Sequence, residues 1–79
     1  MEINDKVILN TFLGTKSSTD KVDDRENYWK LVGQRGTILE RKNNRVLVKF
    51  DCKIDQFELE NHNPVKDSLW ILPSDLETC

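Results

Sequence analysis

Two β-branched, apolar runs, Gly36-Thr37-Ile38-Leu39-Glu40 and Arg45-Val46-Leu47-Val48-Lys49-Phe50, are separated only by Arg41-Lys42-Asn43-Asn44. That spacing predicts an antiparallel hairpin. In the second run Val46, Val48 and Phe50 fall on one face and Arg45, Leu47 and Lys49 on the other, the alternation of a half-buried strand. Asparagine tolerates the left-handed conformation that such a turn requires, but Asn43-Asn44 leaves the register open by one residue.

Strand patterns continue on either side. Ile3 to Leu9 reads as an opening strand, and Ser68 to Leu72 as a fourth, stopped by Pro73, which has no N–H for a continued ladder. Ser74-Asp75-Leu76-Glu77 reads as one helical turn leading into a short terminal strand. No helix of ordinary length is expected, because Val22, Tyr28, Trp29 and Leu31 do not repeat at a helical spacing. A short helical turn around residues 20–26 stays open. The chain from Leu9 to Gly33 and from Asp51 to Asp67 is therefore mostly connection, and connections of that length in a small domain tend to carry function. The expected core is Val7, Leu9, Ile38, Val46, Val48, Phe50, Leu69, Ile71 and Leu76.

With 79 residues the chain has room for one domain, spanning 1–79. No apolar run approaches the roughly 20 residues of a membrane-spanning helix. The start, Met1-Glu2-Ile3-Asn4-Asp5, has neither the basic nor the apolar stretch of a signal peptide, so a cytoplasmic location is expected. Cys52 and Cys79 are too few for a disulfide framework.

Chemistry is sparse. His62 is the sole histidine and lies between Asn61 and Asn63 ahead of Pro64, the composition of a turn rather than of a metal site. Cys52 follows Phe50-Asp51 at a strand end with only Lys53 as a basic neighbour, which favours an inert thiol. No Ser/His/Asp or Cys/His arrangement is present, and Gly33 and Gly36 bracket Gln34-Arg35 without the lysine of a phosphate loop, so they read as turn glycines that permit positive φ. Neither catalysis, nor a cofactor, nor a metal is expected.

Charge is distributed unevenly. Residues 35–53 hold six basic side chains against two acidic ones, and residues 54–79 hold one against six, +4 followed by −5 in a chain of net charge −2. An isoelectric point near 5.3 argues against nucleic acid as the default partner, since that affinity comes from releasing counterions as cations meet phosphates. The basic strip equally reads as a solvated hairpin face that deters strand pairing. Trp70 reads as a barrel residue. Trp29, beside Tyr28 at the end of a charged loop, either plugs the barrel end or forms an exposed anchor.

Short strands, long first and third connections, a tight hairpin between them and a helical turn after the fourth strand describe a mainly β fold, a small half-open barrel of four to five antiparallel strands. In this the chain resembles the SH3-like barrel superfamily. Asp5-Lys6-Val7-Ile8-Leu9 looks like its opening strand, and Val32-Gly33-Gln34-Arg35-Gly36-Thr37-Ile38 is similar to the glycine-bracketed core of KOW-type members. Tyr28-Trp29, Gly33, Gly36-Thr37 and Val46-Val48-Phe50-Asp51 also resemble small SH3-like subunits that dock on larger redox complexes. The first connection is longer than in KOW domains, and Leu76 stands where peptide-binding SH3 domains carry the tyrosine of a Pro-x-x-Tyr turn. The resemblance implies a noncatalytic protein-binding module, an accessory or modulator subunit, using its long loops, with Arg25, Tyr28, Trp29, Phe57 and Leu59 as contacts. Its alternative is a KOW-like contact to RNA or DNA through Arg35, Arg41, Lys42, Arg45 and Lys49.

Overall fold

The alternating run from Arg45 to Phe50 does form a strand, and its partner is longer than expected. The computed structural model describes residues 1–17, 23, 27–59, 61 and 63–79. Its strands are β1 (Lys6–Leu9), β2 (Arg35–Lys42), β3 (Arg45–Phe50), β4 (Ser68–Ile71) and β5 (Leu76–Thr78), joined by single 3-10 turns at Tyr28–Leu31, Ile54–Phe57 and Pro73–Asp75. They form one antiparallel sheet in the order β4-β3-β2-β1-β5, whose edges do not pair with each other, so the barrel is half-open.

The hairpin register is settled by the cross-strand pair Lys42↔Arg45, which leaves Asn43-Asn44 as a two-residue turn with Asn43 at φ 55°. Ile38 pairs with Val48 and Glu40 with Leu47, so Leu39 is an extra residue bulged out of the ladder. The opening strand starts later than Ile3, because Asn4 takes φ 76° and Glu2 N donates to Asp5 Oδ2 at 2.9 Å, closing a turn ahead of Lys6. Gly36 corrects the reading of paired turn glycines. Gly33 has φ 95°, but Gly36 lies inside β2, where a Cβ would come within 2.6 Å of Val48 Cγ1 and 2.7 Å of the Lys49 carbonyl oxygen. Its role is close approach of two backbones rather than a turn.

All nine expected core residues are buried, and Leu31, Leu47, Ile54 and Leu59 join them. Leu47 was expected to face solvent. Its partner across β3–β4 is Trp70, and cross-strand partners share a face, so the large half-buried side chain of Trp70 stands on the same outer face as Leu47. The second long connection is held by side-chain bonds to backbone: Asp67 Oδ1 accepts from Ile54 N at 3.0 Å, and Asn63 Nδ2 donates to the Ser68 carbonyl at 2.7 Å. No helix among the described residues is long and apolar enough to cross a membrane. Arg25, His62 and positions 20–22 and 24–26 of the open helical turn lie outside the described residues.

Candidate functional site

The first long connection begins with a tight turn. Phe12 N donates to the Thr15 carbonyl at 2.8 Å and Thr15 N returns to the Phe12 carbonyl at 3.2 Å, with Leu13 at φ 51° and Gly14 at φ 82° between them. Positive φ at both central residues is the type I′ pattern. Glycine adopts it freely, whereas a leucine there is strained by about 1–2 kcal/mol. The strain is held by a carboxylate from the other end of the chain. Asp75 is 1% exposed and accepts from Thr11 Oγ1 at 2.6 Å, Gly14 N at 2.9 Å and Leu13 N at 3.0 Å. Asn10 N also donates to its carbonyl oxygen at 2.8 Å. The two turn amides and the hydroxyl supply the hydrogen bonds that a buried charge requires.

Above this turn an aromatic cluster assembles. The Phe12 ring meets Trp29 edge-on at 4.9 Å and Tyr28 at 5.8 Å, and Trp29 Nε1 donates to Thr15 Oγ1 at 2.8 Å. Tyr28 and Trp29 are both half-buried. Tyr28 packs on the core, and Trp29 lies over Phe12. Leu13 beside them is 50% exposed. Phe57 is half-buried, and its carbonyl accepts from Lys30 Nζ at 3.2 Å, so the 3-10 turns carrying Tyr28-Trp29 and Phe57 adjoin. Leu59 is a correction: at 3% exposed it belongs to the core and presents nothing to a partner. Phe12, Leu13 and Asp75 are not among the expected site residues.

The basic hairpin does not form one continuous strip. Arg35 pairs with Ile8 at the start of β2, about 20 Å along the strand from Lys42. Lys49 lies opposite Thr37. Only Arg41, Lys42 and Arg45 gather, at the hairpin end, where Lys42, Asn43, Asn44, Arg45 and the half-buried Trp70 line one open depression. Arg41 is paired with Glu2 at 3.6 Å.

Burial raises the Cys52 thiol above its ordinary pKa, and the carboxylates of Asp67 and Asp51 push in the same direction. At neutral pH it is therefore held as the thiol rather than the thiolate. Among the described residues no group of three or more His, Cys, Asp or Glu side chains is placed to hold a metal ion. No protein-family model, curated protein or solved structure matches this chain.

Proposed function

We propose that this chain is a noncatalytic protein-binding module, an accessory subunit of SH3-like type that works in the cytoplasm and docks on a larger complex through its long loops. The observation that carries the reading is Leu13. An apolar side chain is held half in solvent on a strained backbone, beside the aromatic cluster of Phe12, Tyr28 and Trp29, by a buried carboxylate. Strain that the rest of the fold maintains at an exposed position is a mark of function, and a rigid aromatic surface loses little entropy when a partner covers it.

The test is affinity capture by the tagged chain from a lysate of its native host, with and without nuclease. Leu13→Asn keeps the fold, because asparagine accepts the left-handed conformation, and is expected to lose the captured protein. Replacing Arg41, Lys42, Arg45 and Lys49 together by Gln is expected to leave capture largely intact. Loss of capture in the fourfold variant alone, together with loss on nuclease treatment, rejects the reading in favour of nucleic acid.

A further inference from the structure

The hairpin end carries a charge arrangement that the sheet does not require. Lys42 and Arg45 are cross-strand partners, and like charges directly opposite one another weaken a ladder. Neither forms an ion pair among the described residues. Among the described residues Arg45 Nη1 reaches only the Trp70 carbonyl, at 3.5 Å. Trp70 lines the same depression, and its indole N–H has no acceptor among the described residues. The neighbouring cation shows what such a group takes. Arg41 is met by the chain's own start, with Glu2 Oε1 at 3.6 Å and the Met1 carbonyl at 3.3 Å, while Met1 and Ile3 line the adjoining depressions. An acidic, apolar segment thus already lies on one third of the cation cluster.

From this we propose that the hairpin end is a second binding surface, for a short peptide segment of a partner protein in which carboxylates flank an apolar side chain. The carboxylates meet Lys42, Arg45 and the indole N–H, and the apolar group rests on the face of Trp70 beside Ile3, which is 52% exposed. Glu40, on the rim with Arg41, Lys42 and Trp70, limits the segment to few carboxylates. Nucleic acid fits less well. Two unpaired cations give a salt slope of only about −1.4 on a single strand, and the −5 of residues 54–79 repels a long polyanion.

The experiment titrates the full chain, labelled with nitrogen-15, against a synthetic peptide carrying a leucine between two pairs of glutamates. Its glutamine counterpart and a ten-nucleotide single-stranded oligothymidine serve as comparisons. The acidic peptide is expected to shift the Trp70 indole signal and the amides of residues 42–45 saturably, and to leave the Trp29 indole in place. The glutamine peptide, and the Lys42→Gln/Arg45→Gln double variant against the acidic peptide, are each expected to bind at least about tenfold more weakly. Both substituted side chains are exposed, so an unchanged spectrum confirms the variant's fold. The proposal is overturned by a silent Trp70 at about 5 mM peptide, by equal binding of the two peptides, by tighter binding of the oligonucleotide, or by shifts that follow protein concentration alone and so report a second copy. The loop-face reading is tested separately, by Leu13→Asn.

Discussion

The loop face and the hairpin end treat charge in opposite ways. At the loop face a buried carboxylate, Asp75, is enclosed by three donors from residues more than sixty positions away, and the turn it holds is shaped to it. At the hairpin end Lys42 and Arg45 stand opposite each other with no carboxylate paired to either among the described residues. One surface has its electrostatics satisfied inside the molecule and presents apolar groups outward. The other leaves its electrostatics unsatisfied and open to solvent. A site that is complete by itself recognises shape, whereas an incomplete one selects the sign of whatever completes it.

Removing the carboxylate breaks the contrast most severely. Asp75→Ala strands the amides of Leu13 and Gly14 and the Thr11 hydroxyl in a part-buried setting, and is expected to cost about 3 kcal/mol, read from urea midpoints. For a domain this small that is a large share of the total, and Asp75→Asn, which keeps one carbonyl acceptor, should recover part of it. Trp29→Phe keeps the edge contact with Phe12 but loses the bond to Thr15. It should cost about 1 kcal/mol in the same measurement. At the hairpin end the sign reverses: Lys42→Glu replaces a like-charge pair by an opposite one across from Arg45 and should stabilise by about 0.2–1 kcal/mol, an effect that added salt removes. Destabilisation by Lys42→Glu would show that the two cations are already compensated, and the comparison between the two surfaces would fail. Leu13→Asn should change stability least, within about 0.5 kcal/mol, because the lost apolar contact of a half-exposed side chain is offset by relief of backbone strain. Its effect on capture is expected to be large, and that separation of stability from binding is what marks a contact residue.

The sheet was legible because its signals are local. Val46, Val48 and Phe50 announce a buried face by alternation alone, and Pro73 ends a strand by its missing N–H wherever it stands. The whole expected core is buried for that reason. Leu31 and Ile54 escaped notice because a single 3-10 turn is too short to show a period, and Leu47 because its cross-strand neighbour Trp70 belongs to another strand. Leu59, expected as a contact, lies just past the Ile54–Phe57 turn in irregular chain, where no periodicity tells inward from outward. The basic residues could be counted in the sequence, but a bulge at Leu39 and a two-residue turn decide which of them meet.

Side-chain alternation and turn chemistry act within a few residues, so they marked the strands, the β2–β3 hairpin and its core face in advance. It takes the folded chain to close Asp75 on the Leu13-Gly14 turn, to bring Trp70 beside Lys42 and Arg45, and to set Trp29 against Phe12. These are meetings of groups far apart in the chain, and their geometry is set by how the half-open sheet folds its ends together, which no local pattern encodes.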